Sequence, residues 1–114
     1  LIGLELNISV LSAALRGEPT GQPQGFRGDI AAVAKKDLRA GEMLDGEGGY
    51  TVWGKLMPAA ESLKTGALPI GLAHRVKLTN DVAHGAVVRW SDVEIDTKDE
   101  AVAFRRAMEA KFTR

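Results

Sequence analysis

The sequence predicts a mostly β domain of the α+β class, built from two related halves and flanked by a helix at each end. Three observations predict it. Short β-branched and aromatic runs are punctuated by many of the thirteen glycines, the pattern of brief strands joined by tight turns. Two segments near the middle repeat one another. Apolar residues at both ends of the chain recur every three or four positions, the period of a helix face.

The repeat is the most informative of these. Ala34–Leu44 (AKKDLRAGEML) and Leu78–Val88 (LTNDVAHGAVV) superpose at an offset of about 44 positions. Asp37 falls on Asp81, Leu38 on Val82, Gly41 on Gly85 and Leu44 on Val88. Each segment reads as strand, acidic turn residue, apolar residue, glycine turn, apolar strand. An aspartate bonds the backbone two residues on and glycine accepts positive φ, so both suit a tight turn. The two turns are therefore expected to share one conformation, to hold Gly41 and Gly85 at positive φ, and to be related by an approximate two-fold. A small α+β sandwich with ordinary hairpins is the alternative that spacing alone does not separate.

Taken in order, residues 1–17 predict a helix from Ile2 to about Leu15, with Leu1, Leu4, Ile8, Leu11 and Leu15 on one face, Gly17 closing it and Pro19 stopping it. Its partner is read either as its own sheet or as an upstream domain. Residues 18–28 (EPTGQPQGFRG) read as an extended linker anchored by Phe26 and Arg27. Residues 29–96 carry the β domain, with strands at Ile30–Ala34, Met43–Leu44, Tyr50–Trp53, Ala73–Leu78, Val87–Trp90 and Val93–Ile95. Between the halves lies Asp45–Leu72, which opens on a mobile Gly46–Gly49 turn and continues into a helix from Pro58, set for a first turn, to Gly66. Residues 97–114 predict a helix capped by Thr97 and Glu100, with Phe104, Met108 and Phe112 as its packing stripe.

Composition excludes several function classes. Fifteen basic and fifteen acidic residues cancel, which gives no footprint for nucleic acid or an anionic membrane. There is no cysteine, hence no disulfide and no thiolate metal site. No apolar run approaches the roughly 20 residues that span a bilayer, and a cytoplasmic address is the default expectation. The start has neither an initiator Met nor a basic leader and is read as the interior of a longer protein.

Chemical constellations are few. His74 and His84 lie apart without a ligand trio, so no metal site is expected. Ser62 and Ser91 lack the surroundings of a nucleophile. The Gly46–Gly49 turn offers backbone N–H groups to a phosphate, but it leads into a strand and lacks dinucleotide spacing. A plain turn is the preferred reading. No catalytic and no cofactor-binding residues are assigned. Tyr50, Trp53 and Lys55 combine stacking surface with a cation and are the candidate substrate-binding residues, although a solvated lysine after a strand is the simpler reading of Lys55.

The paired Asp-apolar-x-x-Gly segments resemble the SAF domain, a β-clip fold found in antifreeze-like proteins and sialic acid synthases. The longer run GGYTVWGKLMPAAESL, followed by GALPIGLAHRVKLTNDVAHGAVVRWSDVEID, resembles the C-terminal part of homoserine-dehydrogenase-like NAD(P)-dependent oxidoreductases, a group that includes enzymes similar to 1-deoxy-D-xylulose 5-phosphate reductoisomerase. The resemblance covers about Leu1 to Asp96. It implies a SAF-type β-clip that is inactive alone. NAD(P) and the acid/base residues would belong to an upstream Rossmann catalytic domain. Without that domain, the apolar Leu4-Ile8-Leu11-Leu15 face is expected to pair two copies into a homo-oligomer. By analogy with sialic acid synthases, Gly46–Lys55 would reach a neighbouring substrate pocket; the competing and preferred account is that this loop only packs the accessory domain onto the catalytic one. A stand-alone sugar or sugar-acid binding module is the other functional class the resemblance leaves open.

Overall fold

Two crossed turns sit at the centre of the fold. In the computed structural model, which describes residues 2–113, Asp37 Oδ1 accepts from the His84 N–H at 2.8 Å and Asp81 Oδ1 accepts from the Ala40 N–H at 2.8 Å. Between them the backbones of Leu38 and Val82 exchange both hydrogen bonds, at 2.8 and 2.9 Å. The Gly41 N–H donates to Leu78 O and the Gly85 N–H to Ala34 O. Ala34 donates to Ala86 O while Leu78 donates to Glu42 O. Each of these contacts has its counterpart at the offset of about 44 seen in the sequence, so each half grips the other by the same groups. Gly41 has φ 92° and Gly85 φ 78°, the left-handed region in which a Cβ is strained. The expected positive φ at both glycines is observed; the direct pairing of the two turns with each other was not foreseen.

Around this crossing lie two small antiparallel sheets. Strands β1 (Gly28–Ala34) and β3 (Val52–Pro58) form one, and β2 (Met43–Asp45), β4 (His74–Leu78) and β5 (Val93–Glu94) form the other in the order β2-β4-β5. The Met43–Lys77 pair of the second sheet has its counterpart in the bridge between Val87 and Val33. Leu38, Leu44, Leu68, Leu78, Val33, Val52 and Val88 are each under 2% exposed. Burial of each such side chain contributes about 1.5–3 kcal/mol. The core is therefore aliphatic and shared between the halves.

Helix α1 (Leu6–Leu11) starts later than its periodicity predicts and continues as a π turn through Arg16 to Gly17. Neither segment has a buried residue. Packing of α1 on its own sheet, one of the two expected arrangements, is thus not what forms. Phe26 and Arg27 do anchor the linker: Phe26 packs at 6.1 Å from the Phe112 ring, and Arg27 O accepts from the Ala59 N–H. Gly28 already belongs to β1, opposite Pro58.

Four further boundaries differ from expectation for local reasons. Tyr50 and Thr51 lie in a bend, and the strand starts only at Val52 and runs to Pro58. Pro58 then caps α2 (Ala59–Thr65) from an extended conformation instead of entering its first turn. Val87 and Arg89 make only isolated bridges, because Trp90–Asp92 turns into a 3-10 segment. In α3 (Glu100–Phe112) the cap is Asp99, which accepts from the Ala101 and Val102 N–H groups, and not Thr97.

The packing face of α3 is also different. Phe104 is 74% exposed, while Val102 and Glu109 are buried. Two Nη atoms of Arg105 grip Asp29 of β1 at 3.0 and 2.6 Å, and Ser62 of α2 donates to the same carboxylate. Glu109 accepts from Arg105 Nε, Arg106 Nη1 and Trp90 Nε1 at 2.8, 2.7 and 3.1 Å. The Arg105 guanidinium also lies 5.0 Å over the Phe26 ring. A polar clamp, with buried Val102 and the Phe112–Phe26 contact beside it, holds the last helix.

Candidate functional site

The Asp45–Thr51 loop is closed by its own first residue. Asp45 turns its carboxylate inward, where it accepts from the Thr51 hydroxyl, the Tyr50 N–H at 2.6 Å and the Thr51 N–H at 3.0 Å. The Thr51 hydroxyl and these backbone donors hold the Asp45 carboxyl at about 2, well below its ordinary value. Glycine is required at Gly49 because any Cβ there collides with the Asp45 carboxylate. His74 Nδ1 lies 3.1 Å from Asp45 O, and Lys35 Nζ donates to Gly49 O. The Tyr50 and Thr51 N–H groups that follow the glycines are therefore taken by an internal anion, and the Gly49 N–H by Gly46 O. The turn is a caged loop instead of the mobile one the glycines suggest.

This cage carries Tyr50 outward at 87% exposure. Trp53 and Lys55, two residues apart in β3, share one face of that strand. Both are exposed, Trp53 at 44%. The structure thus places Trp53 and Lys55 together on a strand and Tyr50 on the loop before it. His84 is exposed in the second turn, His74 is exposed at the start of β4, and Ser62 is buried against Asp29. Among the described residues no three His, Cys, Asp or Glu side chains gather as a metal site.

Strand β3 has an open edge whose polarity follows from β1. Ala32 donates to Leu68 O and accepts from Val88, and Ala34 donates to Ala86 O and accepts from Gly85. Both residues thus point their peptide groups away from β3. Opposed residues in an antiparallel pair alternate between bonded and non-bonded, so the pairs Ala31–Lys55 and Val33–Trp53 carry the β1–β3 bonds. Gly54 and Leu56 consequently aim their N–H and C=O groups at the free edge. Leu56 is 74% exposed, beside Ile30 across the strand pair.

The second unpartnered surface is α1 together with the residues on either side of it. Leu4, Ile8 and Leu15 are 66%, 64% and 79% exposed. Sequence reasoning singled out this face and the Tyr50–Lys55 stretch but missed Asp45, Asp29, Arg105 and Glu109. The one signal for Asp45 was its place just before a glycine-rich turn. No protein-family model matches the chain, and no curated protein matches it.

Proposed function

We propose that this chain is a non-catalytic accessory domain of the SAF type, a β-clip of two related halves, that docks through α1 onto the catalytic part of an NAD(P)-dependent oxidoreductase, homoserine-dehydrogenase-like or reductoisomerase-like. The observation that carries the reading is the state of α1. A helix this short is marginal in water by itself and takes its stability from packing an apolar face. Yet every large apolar residue of α1 is more than half exposed, while the β domain buries a complete core of its own. The crossed Asp37 and Asp81 turns support the β-clip part of the reading, and the resemblance of Gly48–Asp96 supports the identity of the partner.

The Tyr50 and Thr51 N–H groups that follow the glycines are taken by Asp45, and the turn lacks dinucleotide spacing, so NAD(P) is assigned to the catalytic part and not to this chain. Tyr50, fixed on a rigid loop, is the side chain best placed to reach a neighbouring substrate pocket. Ile8→Asp combined with Leu11→Asp in the full oxidoreductase tests the docking. Neither side chain is buried here, so the thermal unfolding of the β domain is expected to stay unchanged. Association with the catalytic part is expected to weaken at least about tenfold, because a carboxylate is forced into an apolar contact. Undiminished association and turnover would overturn the reading.

A further inference from the structure

We infer that the open edge of β3 is a self-pairing surface: two copies of the chain add their β3 strands antiparallel across a two-fold axis at Gly54. This inference stands apart from the α1 docking and uses a different face. The free edge presents the peptide groups of Gly54 and Leu56, as the orientation of Ala32 and Ala34 requires. An exposed strand edge of this kind is a template for another strand.

The register follows from which side chains would meet. With Gly54 on the axis, Gly54 of each copy forms a bonded pair and Trp53 stands opposite Lys55 of the second copy. That is a non-bonded pair, in which side chains approach most closely, and an ammonium over an indole is the favourable cation–π combination. It occurs twice by symmetry. One neighbouring antiparallel register puts Lys55 on the axis against Lys55 of the second copy, where like charges directly opposed are repulsive, and the other puts Trp53 against Trp53 and sets each Lys55 opposite Thr51 instead of an indole. Lysine on an edge strand commonly blocks pairing altogether; here it blocks one register and complements the one centred on Gly54.

Two further features fit a second copy. Gly54 carries no side chain to keep two backbones apart, and a Cβ there would stand 2.6 Å from Ile30 Cγ2. Leu56 and Ile30, at 74% and 47% exposure, form an apolar patch beside the axis that the pairing covers.

The chain contains no cysteine, so single introduced cysteines report the register cleanly. Trp53→Cys and Lys55→Cys both alter exposed positions and leave the core intact. Mixed and oxidised, the two variants are expected to give a disulfide-linked heterodimer, while neither links to itself. Identical positions sit on the diagonal across the axis, beyond the Cα separation of roughly 7 Å that a disulfide spans. Lys55→Glu is expected to weaken self-association about tenfold in sedimentation velocity, through loss of both cation–π pairs. Self-linking of Lys55→Cys would overturn the inference by showing the other register. A monomer at every concentration, self-association unchanged by Lys55→Glu (the signature of pairing through α1), or β3 covered only when a catalytic part is joined would each overturn it too.

Discussion

Arg105→Ala is expected to cost about 3–5 kcal/mol of stability, the range for removing one partner of a buried ion pair. The side chains of Arg105 and Asp29 are 14% and 5% exposed, and among the described residues the guanidinium is the group that bonds both Asp29 of β1 and Glu109. Without it Asp29 keeps the Ser62 hydroxyl and the Ile30 N–H but remains a buried, uncompensated charge. Urea unfolding measures the effect as a fall in midpoint at unchanged slope. Arg106→Ala is the comparison: its side chain is 56% exposed, and without it Glu109 keeps Arg105 Nε and Trp90 Nε1, so a smaller loss is expected. Equal losses in the two variants would show that the clamp does not anchor α3.

The same clamp sets an acid limit. Burial pushes the Asp29 carboxyl up, but the hydrogen bonds from Arg105 and Ser62 and the arginine charge outweigh it, and the net position is below the ordinary value of 3.8. A carboxyl whose folded value is depressed binds protons more weakly when folded. Its contribution is present above the ordinary value and is lost as pH falls through the folded one. Arg105→Ala removes this dependence together with the stability, so the variant's unfolding free energy should vary less with pH below 3.8 than that of the unmodified chain.

Gly41→Val and Gly85→Val are each expected to cost about 1–3 kcal/mol, because a β-branched residue is forced to positive φ. Both glycines have open space where a Cβ would lie, so the cost is backbone strain and not collision. The glycines occupy equivalent places in the two halves. Similar losses in the two variants, read by thermal unfolding, are what the symmetry demands. A loss at one position and none at the other would contradict equivalence of the turns.

The crossed turns were legible because their logic is local: aspartate, apolar residue and glycine at fixed spacing dictate a turn wherever they occur. The aliphatic strands β1, β2, β4 and β5 were legible for the same reason, and Gly66 stopped α2 as expected, at φ 67°. The Phe104–Met108–Phe112 face failed as a guide to α3 because the helix is held by charges whose partner, Asp29, lies 76 positions away from Arg105. Periodicity does not register such pairs. Tyr50 and Thr51 have the composition of a strand, but the Asp45 carboxylate bonds both of their N–H groups and fixes a bend instead. Of the candidate site, Tyr50, Trp53 and Lys55 were singled out by residue type, but Lys55 was read as following the strand, whereas β3 runs through it to Pro58. The open edge between them became readable only from the hydrogen bonds of Ala32 and Ala34 on the neighbouring strand.

Amide hydrogen exchange at Ile8–Leu15 tests most directly whether α1 is a docking element. On the chain alone these amides should exchange within about tenfold of the unstructured rate, since a helix without buried contacts opens at little cost. Joined to the catalytic part proposed above, they should be protected at least about a hundredfold while β1 and β4 stay unchanged. Strong protection in the chain alone, or the same weak protection in both, would contradict the assignment of α1 as the surface through which this domain docks.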